Sequence, residues 1–119
     1  MPHSNSDLLA RNRIVGEIVV CLAMAEYEAV VALAPGSPVS PAQIKAAIEE
    51  YGRKLVPLPP EAYELIDYVA IAQSEPPSWS VVVPLFTQQE GRSDLSLELR
   101  LMKLATASYE VSVDGLHAL

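Results

Sequence analysis

The chain has 119 residues, half of them apolar, with a formal charge of −7 and a pI near 4.7. That length and apolar content suit one domain with its own core and exclude a disordered chain. The acidic balance disfavours phosphate backbones, so nucleic acid is not an expected partner, whereas a basic protein surface is.

Met1 to Ser6 is polar and reads as a frayed start that also holds His3. Ser6 is an expected helix cap, with Asp7 in the first turn, where the helix dipole favours it. Leu8, Ile14, Val15, Ile18, Val19, Leu22 and Ala25 then follow helical spacing. Ile14 to Ala25 is apolar enough for a short secretory core, but Glu17 interrupts it and Glu26 follows at once. We therefore expect a core helix of a cytoplasmic protein, with no membrane span. The pattern breaks near Ala25-Glu26 and resumes to Leu33, and Pro35-Gly36-Ser37-Pro38 ends it. Cys21, the only cysteine, sits in an apolar run and reads as a buried small hydrophobe, with no disulfide available.

Ser40-Pro41-Ala42-Gln43 is a helix start: Ser40 can cap, Pro41 fits the first helical position, and Gln43 completes a capping box. The helix runs through Ile44, Ala47, Ile48 and Tyr51, and Gly52 supplies a left-handed stop. Val56-Pro57-Leu58-Pro59-Pro60 reads as a stiff linker, and Glu61 to Glu64 as a single helical turn.

Strand patterns follow. Leu65 to Gln73 is the first expected strand. Trp79 to Thr87 is the second, and Pro84 inside it demands an edge position or a bulge. Asp94 to Lys103 is the third, with Leu95, Leu97, Leu99 and Leu101 alternating against Ser96, Glu98, Arg100 and Met102. Ser108 to Asp114 is the fourth, alternating Tyr109, Val111 and Val113 with Glu110, Ser112 and Asp114. Connections this short demand antiparallel neighbours. The expected fold is α+β: helices over about 7–52, packed on one face of a curved four-stranded antiparallel meander over about 65–119.

This order of elements resembles the NTF2-like (cystatin-like cone) superfamily, in which a curved sheet wraps around N-terminal helices. Two local stretches are similar to a small uncharacterised bacterial family. One is Ile48-Glu49-Glu50-Tyr51-Gly52-Arg53 with Leu55-Val56-Pro57. The other is Trp79-Ser80-Val81 followed by Glu90-Gly91-Arg92-Ser93-Asp94-Leu95. The ending Val113 to Leu119 matches that family's close, except that Gly115 stands where a second acid is expected. The resemblance carries no established activity. Small acidic domains of this kind resemble immunity proteins that neutralise bacterial toxins.

Three functional readings follow. The first is a non-enzymatic protein-binding module, an immunity protein that occludes the basic cleft of a toxin. Its expected contacts are Glu90, Arg92 and Asp94 on the polar loop, with Glu98 and Arg100 on the strand face opposite the leucines. The plainer reading of the loop is a hairpin whose Arg92 and Asp94 stabilise the turn. The second is an isomerase- or hydratase-type enzyme with a small-molecule site in the cone. There His117 on the last strand points into the pocket, and Asp114 or Asp67 is its acid–base partner. A histidine so close to the C-terminus is more often a rim residue. The third is a self-associating homodimer through the sheet face. Val82 and Phe86, opposite Trp79, Val81, Val83 and Leu85, put apolar groups on both faces. Tyr27, Tyr51, Tyr63, Tyr68 and Trp79 line a pocket or, more plainly, fill the bulky core positions of a chain with one Phe. Phosphate loops, dinucleotide fingerprints and metal-binding motifs are absent from the sequence, so no cofactor and no metal are expected.

Overall fold

The computed structural model describes residues 2–118, with side chains described over 7–118. Three helices come first: α1 (Pro2–Ala23), α2 (Tyr27–Leu33) and α3 (Pro41–Tyr51). A 3-10 turn over Pro60–Leu65 and five strands follow. The strands are β1 (Leu55–Val56), β2 (Asp67–Ala70), β3 (Ser78–Thr87), β4 (Gly91–Ala105) and β5 (Ser108–Ala118). The result is an α+β domain: helices, then a curved, unclosed antiparallel sheet.

Helix boundaries follow local chemistry. The backbone of α1 is helical from Pro2, ahead of the expected Ser6 cap, whose side chain lies outside the described residues along with that of His3. At its end, Glu26 N–H reaches Cys21 O at 2.8 Å and Ala25 N–H reaches Leu22 O at 3.1 Å. This paired closure needs a left-handed residue, and Ala25 takes it at φ 59°. The α3 cap is the expected one. Gln43 N–H donates to Ser40 Oγ at 3.1 Å, Gln43 Oε1 accepts from Ser40 N–H at 2.8 Å, and Gly52 closes the helix at φ 76°.

The sheet departs from the expected meander at its first edge. It has five strands, because Leu55–Val56 inside the proline-rich linker pairs with Thr87 and Phe86 of β3. The expected strand 65–73 shrinks to Asp67–Ala70, since Leu65 closes the 3-10 turn. β1 and β2 lie end to end on one side of β3, and β4 takes the other side, followed by β5. Pro84 therefore sits in an inner strand, and the ladder accommodates it by a bulge. Pro84 opposes Ser96 and Phe86 opposes Arg92, so three residues of β4 face Leu85 alone. Ser93 repairs the gap: its hydroxyl donates to Leu85 O at 2.8 Å and accepts from Leu95 N–H at 3.1 Å.

All four leucines of β4 are buried on the helix side. They meet Val81, Val83 and Leu85 of β3, Val111 and Val113 of β5, and Val15, Ile18, Val19 and Leu22 of α1 in one core cluster. Ile44 and Ile48 of α3 and Val30 of α2 join it, with Leu55, Leu58, Ile66 and Phe86 among the others.

Two stability outcomes are expected. Leu97→Ala should cost about 3 kcal/mol, because Leu97 is wholly buried in the middle of the layer. Ala25→Gly should stabilise by about 1 kcal/mol by relieving a left-handed alanine. Urea titrations of both variants check the opposite signs.

Candidate functional site

The face of the sheet turned away from the helices is built from cross-strand rows. One row reads Val69, Ser80, Arg100 and Ser112; the next reads Asp67, Val82, Glu98 and Gly115; a third reads Pro84, Ser96 and His117. The side chains are mostly short. Longer ones fasten to each other: Arg100 Nη2 lies 3.5 Å from Asp114 Oδ2, and Ser112 Oγ donates to Asp114 Oδ1 at 3.1 Å. His117 Nε2 stands 3.6 Å from Glu98 Oε1, a charged pair whenever the imidazole is protonated.

His117 reaches this face through a second bulge. Leu99 opposes Val113, yet Glu98 opposes Gly115, so Asp114 is an extra residue in β5. One inserted residue reverses the alternation. The expected pattern stops at Asp114, whereas the strand continues to Ala118 with Leu116 across from Leu97 and His117 across from Ser96. The expectation that His117 points toward the helices is thereby corrected: its side chain is 65% exposed on the outer face. Its ring crosses Gly115, where a Cβ would lie 3.2 Å from Nε2. The glycine standing in place of an expected acid thus makes room for the imidazole.

The expected acid–base partners are not brought to His117. Asp114 is engaged by Arg100 and Ser112. Asp67 is exposed on β2, three strand spacings from β5, which is about 14 Å. Glu98 is the carboxylate beside His117, paired through a register that alternation alone does not reveal.

The polar loop is held by a tyrosine from α3. The Tyr51 hydroxyl donates to the Glu90 carboxylate at 2.9 Å and accepts from Asp94 N–H at 3.1 Å. Thr87 Oγ1 donates to Glu90 Oε1 at 3.1 Å and accepts from Glu90 N–H at 3.0 Å. Gly91, at φ 73°, turns the chain back into β4. Glu90 and Ser93, rather than Arg92 and Asp94, therefore order this hairpin. The Arg92 and Asp94 side chains are exposed and enter none of the ion pairs among the described residues.

At the far end of the helix side, Arg11 of α1 fills the space between aromatic rings. Its guanidinium lies 4.6 Å from the Trp79 ring centre, 5.0 Å from that of Tyr68, and 3.5 Å from the Tyr109 hydroxyl. Trp79 and Tyr109 meet edge to face at 5.9 Å. Tyr68 donates to Asn12 Oδ1 at 2.7 Å, and Lys103 Nζ meets Asp7 Oδ2 at 2.8 Å. Of the five aromatics read as pocket or core, Tyr68 and Trp79 hold Arg11. Tyr51 holds the loop, Tyr63 covers Gly16, and Tyr27 packs against the core. Phe86 is buried and Val82 is exposed, so only one of the two expected outer apolar residues is open. A groove of about 730 Å³ opens beside Tyr27 and Lys45, away from His117 and Asp67.

These features define a helix-backed open antiparallel sheet with a charged, ion-paired outer face. Among the described residues, no cluster of three or more His, Cys, Asp or Glu is placed to hold a metal, and no helix is long and apolar enough to cross a membrane. The model of a domain of unknown function, DUF7668, matches residues 19–119, and the chain belongs to that family. No curated protein and no solved structure matches it.

Tyr51→Phe removes both loop hydrogen bonds and should cost about 1 to 2 kcal/mol. Hydrogen exchange at the Asp94 amide should quicken in step, which a purely global loss of stability would not confine to this loop. A second outcome concerns alkali. Burial pushes the Tyr68 phenol above its ordinary value of 10.0, and the Asp7 hydrogen bond raises Lys103 above 10.5. Both groups are raised on folding, so their stabilisation is complete below those ordinary values and is lost as pH climbs past them. Stability should therefore fall above about pH 10, and Tyr68→Phe should flatten the fall in denaturant midpoints.

Proposed function

We propose that this chain is a non-enzymatic protein-binding module with an NTF2-like cone shape, working as an immunity protein that occludes the basic cleft of a bacterial toxin. The observation that carries the reading is the outer sheet face. It is exposed at Ser80, Val82, Arg100 and His117, and its side chains are short or tied in ion pairs. Such a surface loses little conformational entropy when a partner covers it. Asp67, Glu98 and Asp114 outnumber Arg100 on it, and the whole chain carries −7, so a basic partner is drawn in by charge. Glu98 and Arg100 contribute the face, and Arg92 and Asp94 the exposed corner. Glu90 acts by holding that corner in place. The element order and the sheet curvature support the cone shape. The enzyme reading is weaker, because His117 and Asp67 stand apart on an open surface where water screens a proton transfer.

The test is co-expression with the protein encoded beside it. A stable complex and rescue from that protein's toxicity are expected. Glu98→Lys combined with Asp94→Lys should weaken the complex at least tenfold, mostly through slower association at low salt. Absence of a complex, or full rescue by the charge-reversed variant, would overturn the assignment.

A further inference from the structure

We infer that the outer sheet face reads its partner at two seats, an apolar one over Ser80 and a cation seat at Glu110. The partner would then present a branched apolar side chain and an arginine or lysine about 10 Å apart. The inference rests on the protein-binding reading of this face and names the part of it that is read. The apolar seat lies on the β2–β3 side. Val69 opposes Ser80, and Val82 follows Ser80 by two residues, so both stand on one face around a side chain too short to fill the space between them. Ile71, two residues beyond Val69, continues the row, and its N–H donates to Ser78 O at 2.9 Å. Val69 is 52% exposed, Ile71 39% and Val82 37%. Three open branched side chains around one serine make a patch, where a solvated face carries apolar residues singly. Asp67, opposite Val82, places a carboxylate at the rim of that patch.

The second seat is a groove of about 270 Å³ that crosses the strands from Ser78 past Met102 and Arg100 to Glu110 and Ser112, and ends against Gly36. Register builds it: Ser78 opposes Met102 and Met102 opposes Glu110 in one row, while Arg100 opposes Ser112 in the next. Arg100 is offset by Asp114 at 3.5 Å. Glu110 is exposed and enters none of the ion pairs among the described residues. The groove therefore keeps one uncompensated negative charge, and its complement is a cation. Half-buried Met102 gives the stem of a long basic side chain an apolar wall to run along. Ser80 on β3 and Glu110 on β5 are two strand spacings apart, about 10 Å. Three residues of extended chain span about the same distance. An extended segment laid across the strands, with an apolar and a basic residue three positions apart, meets both seats.

The probe is the acetylated, amidated peptide Leu-Gly-Ser-Arg, titrated to about 10 mM while amide chemical shifts of the full chain are followed by NMR. Saturable shifts are expected at Ser80, Val82, Met102 and Glu110. Replacing the peptide's Leu by Ala, or its Arg by Glu, should weaken binding at least about fivefold. Glu110→Lys, at an exposed position, should reverse the preference toward the peptide ending in Glu. Shifts that do not saturate or that map elsewhere overturn the inference, as does a preference that Glu110→Lys leaves unchanged. In the complex with the protein encoded beside it, Glu110→Lys combined with Val82→Ser should weaken binding at least about tenfold. A complex indifferent to that pair overturns the two seats and leaves the toxin-neutralising reading standing. Absence of any complex removes that reading alone, and the peptide titration then decides the two seats.

Discussion

β4 is paired on both sides from Ser96 to Met102, so each side chain there has only two places to go. Leu95 to Leu101 take the helix side and bring α1, α3, β3 and β5 to one core. What remains, Ser96, Glu98, Arg100 and Met102, must then face outward. The outer surface of the sheet is thus set by the same alternation that builds the core. A change that slipped β4 by one residue would bury charges and expose leucines together. That linkage makes the outer face rigid without needing bulky side chains of its own.

Two of the three places where the register slips among the described residues are places where function is argued. Between Pro84 and Phe86 the register shifts and β4 carries extra residues, and Ser93 bonds the Leu85 carbonyl left opposite them. The inserted residues end the Glu90-to-Asp94 corner and let Arg92 and Asp94 stand free of the core. At Asp114 the inserted residue reverses β5 and carries His117 from the helix side to Glu98. Arg11 closes the helix side at the other end, with three aromatic residues around its guanidinium. A cation held against π faces lets that end be filled by a long side chain from α1.

What was legible in the sequence is what neighbours in sequence decide. The Ser40 capping box, the Gly52 stop, the break at Ala25-Glu26 and the buried leucines all depend on residues within a few positions of each other. The bulge at Pro84 was legible because the missing donor is a property of one residue. The face of His117 was not, because it depends on which residue of β4 opposes Asp114. Nor was β1, whose two residues acquire strand character only by lying against Phe86 and Thr87. The Tyr51 bond to Glu90 joins residues 39 apart, and the Arg11 bond to Tyr109 spans 98. Nothing in either local pattern announces such pairs. A lone arginine in a helix reads as solvated until the rings around it are known.

The two margins of the sheet have a consequence of their own. On one margin β1 and β2 are two and four residues long, and Pro57, Pro59 and Pro60 lie between them. On the other, Ser37 Oγ already accepts the Val113 N–H of β5 at 2.8 Å. The β1–β2 margin therefore offers no long run of unpaired backbone groups to a foreign strand, and one N–H of the β5 margin is already taken. Of the two margins, β5 with its eleven residues is the one that edge-to-edge strand addition would have to use.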